Sequence, residues 1–317
     1  MNPLRKLLNR ARKVGARRRR SNRVATESLE TRCLLTGDVT VSLIGDNVVI
    51  EGDGGDNALE VTHFDGDIVV RSLDETRING SAETHVVLPD ADAIAGHLVI
   101  NLGQGNDTAL ITRDFVVQGD VRVTGGAGND TLGLLRPTIG GELRVVMGSG
   151  RDNISVVETT VGDGVNLKGN NGPDTVSVQE TTVVGNSIVS TSGGADNIVL
   201  QDSLFEDQLA ASGGNGDDAV SVVSSRFNGN LEVVTVGGDD IVRTIDSRVE
   251  GEAFFGLGAG SDELSLGQSG LRNVFVGDFR TNGAGGDDTY DQMNNVFRAA
   301  REVERFDEGS VDLDDNV

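Results

Sequence analysis

The chain has 317 residues, 37% of them apolar, with 44 Gly, 10 Phe, one Tyr and no Trp. So few aromatics beside so many β-branched residues argue against an irregular aromatic core and for small repeated slots. Cys33 is the only cysteine, which excludes an intrachain disulfide framework and a cysteine zinc site, and no run of 18 apolar residues offers a transmembrane helix.

The net charge of −23 is unevenly distributed. Residues 1–32 hold eleven Lys and Arg against Glu27 and Glu30, whereas residues 33–317 hold 16 Lys and Arg against 48 Asp and Glu, a net −32. Such a body repels nucleic acid and attracts cations, so divalent cations are the expected partners and any nucleic-acid role falls to the basic tail. Residues 3–20 place Leu4, Leu7, Leu8, Ala11 and Val14 at helical spacing among Arg and Lys, without the apolar stretch of a secretory signal. They are followed by Leu29-Glu30-Thr31-Arg32-Cys33-Leu34-Leu35.

That segment resembles the LEPR-XLL motif found after an Arg-rich start in large exported proteins of planctomycete-type bacteria, with Thr31 where the family has Pro. The resemblance covers about thirty-five residues. It implies a leader over residues 1–36 and a secreted or cell-surface destination.

From residue 37 the chain reads as β-structure. Val39–Ile44 and 48–51 flank Gly45-Asp46-Asn47 as a hairpin, and 58–62 and 68–71 form a second strand pair around Asp65-Gly66. Residues 37–100 are therefore expected to form an irregular N-terminal cap that protects an open sheet end.

Residues 101–291 carry the dominant signal. A Gly-rich turn ending in Asp recurs at Asp107, Asp130, Asp152, Asp174, Asp196, Asp218, Asp240, Asp262 and Asp288, at intervals of 23, then 22 six times, then 26. Fixed self-similarity at this length reads as a solenoid. Apolar residues alternate two and four positions past each Asp, as in Ile154 and Val156, which places a first strand there. Nine past it, Ile139, Val161, Val183, Phe205, Phe227, Val249 and Leu271 form a second inward column, preceded by Thr159, Thr181, Ser203, Ser225, Ser247 and Ser269. A third strand includes Leu143, Val165, Leu209, Leu231, Ala253 and Phe275, with Val145, Leu167, Val189, Ala211, Val233 and Phe255 as inner positions. The expected fold is an all-β, right-handed parallel β-helix with three strands per 22-residue coil. Val296, Ala300 and Val303, with Phe297 alongside, stand at helical spacing and predict a capping helix over 292–306, ahead of an acidic tail at 307–317.

The Gly-Asp turns, above all Gly125–Asp130 (GGAGND), resemble half of the nonapeptide repeat of RTX β-roll proteins. The resemblance implies calcium as cofactor, with the nine repeat aspartates as ligands. The departures are one such turn per coil where RTX rolls have two, incomplete glycine pairs, and Pro173 before Asp174. The other reading of the same residues is that each Asp accepts backbone N–H groups and caps its own turn.

No catalytic constellation stands out. Glu206 and Asp207 read as a solvated corner, Arg226 and Arg248 as partners of nearby carboxylates, and His63, His85 and His97 lack metal-ligand spacing. Without Trp, and with Tyr290 as the only Tyr, an aromatic sugar platform is disfavoured. The reading is an exported, non-catalytic structural or interaction module, expected as a monomer that meets other cell-surface components. A polysaccharide lyase or hydrolase and a cytoplasmic nucleic-acid binder are the alternatives.

Overall fold

A computed structural model of the chain describes residues 37–81, 84–88 and 93–306. The leader with its LExRxLL motif and the acidic tail lie outside the described residues. Among those described, every regular element is a strand and there is no helix.

The coil is visible in the segment 143–161. Leu143–Ser149 buries alternate side chains through Leu143, Val145 and Met147, Asn153–Val157 buries Ile154 and Val156, and the two-residue strand Thr160–Val161 buries Val161. The next coil repeats this 22 residues later in parallel register, Leu143 on Val165, Ile154 on Val176 and Val161 on Val183. Period-2 alternation therefore sends one apolar set inward, and stacking of like on like completes the main-chain pairing. Coil after coil, this produces three sheets of 13, 12 and 10 strands among the described residues. The fold is a β-solenoid of parallel strands.

The glycines of the repeat turn are required by contact. Gly128 has φ +132, and a Cβ there would lie 1.7 Å from the carbonyl oxygen of Gly105 in the coil before; Gly172, with φ +119, would place one 1.7 Å from that of Gly150. Backbones stack directly at this corner, so no side chain fits.

The cap matches its expectation. Strands β1 (Asp38–Ile44) and β2 (Asn47–Glu51) form an antiparallel hairpin, as do β3 (Ala58–Phe64) and β4 (Asp67–Ser72). Strands β2 and β3 lie parallel on the first regular coil at Leu98–Gln104 and Thr108–Thr112. Their hairpin partners continue outward, β1 to β5 (Arg77–Ile78) and β4 to β6 (His85–Leu88). Two hairpins thus replace the bare edges of two sheets.

The C-terminal expectation is corrected. Residues 292–306 form another coil, not a helix: Val296–Phe297 pairs with Val274–Phe275 and Arg301–Glu304 with Phe279–Asn282. The 22-residue spacing carries on from Phe275 to Phe297, and stacking of equivalent rings outweighs a three-to-four spacing that spans a corner. Phe297 lies 5.2 Å from Phe275 in a stacked pair, and the Arg301 guanidinium stands 4.8 Å above the Phe297 ring. A charged group over an aromatic face ends the coil where the helix was expected.

A second correction concerns the 26-residue interval. Leu271 is 39% exposed, at the end of a four-residue insertion closed by the Leu271 to Gln268 backbone bond. Phe275 takes the second inward column, stacked on Val249, and Phe279 takes the third, beside Ala253. Asn273 replaces Ser269 in the polar column before it.

Candidate functional site

The repeat aspartates form one line along the stack, each between 1 and 3% exposed. The side chain does not cap its own turn. Oδ1 of each Asp accepts the peptide N–H of the ladder residue one coil earlier: Asp130 that of Asp107 at 2.9 Å, Asp152 that of Asp130 at 2.8 Å, and Asp174 that of Asp152 at 2.9 Å. The series runs through Asp196, Asp218, Asp240 and Asp262 to Asp288, at 2.7 to 3.1 Å. Its first rung is Asn57, whose N–H donates to Asp107 at 2.7 Å. Sequence reasoning passed over Asn57 because the β3–β4 hairpin separates it from Asp107 by 50 residues.

An outer row at the same corner runs the other way. The Asn129 N–H donates back to Asn106 Oδ1 at 2.9 Å, that of Arg151 to Asn129 at 2.7 Å, and that of Asp239 to Asp217 at 2.9 Å. Successive peptides at the corner point in opposite directions along the stack, and one side chain serves each. At the second corner a hydroxyl ladder is buried. The Thr181 N–H donates to Ser203 Oγ, that of Ser203 to Ser225 and that of Ser225 to Ser247, at 3.2 to 3.3 Å, while each hydroxyl donates to the carbonyl two residues before it. Asn273 and Asn295 continue this line with amides.

Burial dominates the electrostatics of the aspartate ladder. It pushes the carboxyl of Asp130 up to about 6 and those of Asp174, Asp218 and Asp262 up to about 7, against the opposing pull of the accepted N–H bond. Asp107, Asp152, Asp196 and Asp240 are raised for the same reason.

Calcium, which the resemblance implies, would have to share these carboxyls with the main chain. Calcium takes 6–8 oxygen ligands at 2.3–2.6 Å, several of them from water or flexible carboxylates. Here one oxygen of each ladder carboxyl holds a peptide N–H, and the group is shut away from solvent.

The remaining candidates fall on separate surfaces. Arg226 and Arg248 stack in register and both reach Glu250, at 3.4 and 2.5 Å. Glu206 and Asp207 are exposed, and Glu206 accepts from Asn228 one coil later. His97 Nδ1 accepts the Asp120 N–H at 2.8 Å, in the same role as a ladder side chain. His63 lies on β3 and His85 on β6; His85 lines an open groove of about 590 Å³ with Phe64, Asp67, Arg71 and Arg113.

The fold and its ladders define the class: a parallel β-solenoid held by buried polar ladders. No protein-family description, curated protein or solved structure matches the chain.

Proposed function

We propose that the chain is an exported or cell-surface module whose solenoid serves as a non-catalytic scaffold for interaction, its acidic exterior surrounded by diffuse counter-ions. The observation that carries this reading is the uniformity of the coils. From Asp130 to Asp262 every repeat has the same 22-residue length, and the interior is taken up by apolar columns and polar ladders. Enzymes of repetitive fold need loops that build a cleft, and four extra residues ending at Leu271 are the largest departure between Asp130 and Asp288.

Export rests on the resemblance of residues 29–35 to the LEPR-XLL segment. Cell fractionation with N-terminal sequencing tests it: mature protein in the envelope or medium supports the reading, whereas intact leader in the cytosol overturns it in favour of a nucleic-acid role for the tail. Incubation with pectins, alginates and sulfated glycans tests the non-catalytic part. The expected result is no product; product release that Glu206→Gln or Asp207→Asn abolishes would make the protein a polysaccharide-degrading enzyme.

A further inference from the structure

The ladder carboxyls have a second oxygen, and its surroundings bear on their protonation. Oδ2 of Asp130, Asp174 and Asp218 is buried and meets no hydrogen-bond donor among the described residues. In these three coils the residue five before the Asp is glycine, and Oδ2 fills the space where its Cβ would be, at 2.5, 2.3 and 2.3 Å from that position for Gly125, Gly169 and Gly213. The oxygen therefore points into the main chain.

The strand register explains what it meets there. Thr124 pairs with Val146 and Gly126 with Gly148, while Gly125 and Met147 fall out of the ladder between them. The carbonyl at this position needs a donor from a side chain, and other coils show which donors it takes. Asn57 Nδ2 donates to the Leu102 carbonyl at 3.2 Å, Thr191 Oγ1 to that of Gly213 at 2.9 Å and Thr235 Oγ1 to that of Leu257 at 2.6 Å. Each acceptor stands five residues before the ladder Asp of the following coil. At Gly125 the pair flanking the empty Cβ position is Asp130 Oδ2 and the Met147 carbonyl oxygen, just as Asn57 Nδ2 and the Leu102 oxygen flank that of Gly52. An amide or hydroxyl hydrogen elsewhere is matched here by a carboxyl oxygen.

We propose that Asp130, Asp174 and Asp218 are neutral acids in the folded protein, Asp130 donating its Oδ2 hydrogen to the Met147 carbonyl and Asp174 and Asp218, at the equivalent repeat positions, to those of Thr191 and Thr235, so that the seam holds protons and loosens as pH rises. Two oxygens facing each other without a hydrogen repel, and a buried unpaired acceptor is costly, whereas a carboxylic acid supplies the missing donor. The charged groups facing each are other carboxyls: Asp56, Asp107 and Asp152 around Asp130, Asp152 and Asp196 around Asp174, and Asp196, Asp217 and Asp240 around Asp218. No cation is among the groups acting on the three carboxyls, and Arg151, beside Asp152, stands in the exposed outer row. The charged neighbours therefore favour the neutral form, against the pull of the N–H that each Oδ1 accepts.

The sign of the pH effect follows. Raised carboxyl pKa values mean that the folded state binds more protons than the unfolded one. Stability is then greatest at and below the ordinary carboxylate range, falls as pH rises from about 4 to 7, and levels off above. For Asp130 alone, held at about 6 against 3.8, the unfolding constant rises on the order of a hundredfold across that window.

The test compares wild type with D130N/D174N/D218N by urea unfolding from pH 4.5 to 8, with and without added CaCl2. Asparagine copies the neutral acid, so the variant is expected to fold, to equal or exceed wild type at pH 8 and to lose most of the pH slope. A variant weaker than wild type at pH 8, or calcium protection seen in wild type and lost in the variant, would show carboxylates holding a charge or a metal, and the proposal fails. Infrared spectra of wild type at pH 5.5 do not depend on the variant folding. A protonated-carboxyl band that persists on exchange into D₂O and disappears by pH 8.5 is expected, and its absence at pH 5.5 overturns the assignment.

Discussion

Two kinds of left-handed residue hold the corners, and they are built on different terms. At the repeat turn the position is glycine because an adjacent backbone occupies the Cβ space, as at Gly128. At the second corner the same half of conformational space is taken by ordinary residues, Glu158 at φ 50, Glu180 at φ 49, Asp202 at φ 50 and Asp246 at φ 52, each just before the hydroxyl ladder. Gly128→Ala is expected to cost on the order of 3 kcal/mol, because both the φ and the contact forbid a methyl group. Glu180→Gly should instead gain about 0.5–1 kcal/mol, the relief of left-handed strain exceeding the added chain entropy. Urea midpoints for the two variants measure both; equal losses would show that the corners obey one rule.

At the scale of the element, each strand is short and each corner is stitched to the next. The two-residue strands, such as Arg226–Phe227, have little main-chain pairing of their own. The side chains around them make up the difference: Phe205 and Phe227 stack at 5.3 Å, and Ser225 Oγ both accepts the Ser203 N–H and donates to the Val223 carbonyl. Ser225→Ala removes one atom yet strands the buried Ser203 N–H, while the Val223 carbonyl keeps the Asp202 N–H. A loss of about 1–3 kcal/mol is expected in urea unfolding. A loss below 0.5 kcal/mol would mean that the hydroxyl ladder is incidental to the corner.

For the molecule as a whole, charge and repetition set the behaviour. A net −32 over residues 33–317 repels itself, and screening by salt relieves that repulsion over a Debye length of about 8 Å at physiological strength. If the cations around the solenoid are diffuse, NaCl and CaCl2 at equal ionic strength should raise the melting temperature by similar amounts, and EDTA should leave it unchanged. A saturable calcium effect at micromolar concentration would point to a bound ion. Because each coil contacts its neighbours, such stabilisation should spread along the stack.

The architecture was legible from Asp107 to Asp262 because a repeat writes its period into the sequence, and alternation within it separates inward from outward residues. The cap hairpins were legible too, through Asp65-Gly66 and Gly45-Asp46-Asn47 between alternating strands. Where the period was interrupted, local pattern misled. Leu271 matched the column by counting and Phe275 fills it by stacking, and Val296, Ala300 and Val303 had a helix's spacing in a segment that coils once more. The recurring aspartates stand out in the sequence, but which N–H each accepts is a relation between coils, invisible to a reading along the chain. Sequence alone determined the period, the inward columns and the need for glycine, since those follow from steric and hydrophobic constraints on each residue. Only the tertiary structure decided that the ladder is internal, that Asn57 begins it and that Asp130 Oδ2 lies beside the Met147 carbonyl, because stacking brings together groups 22 or 50 residues apart.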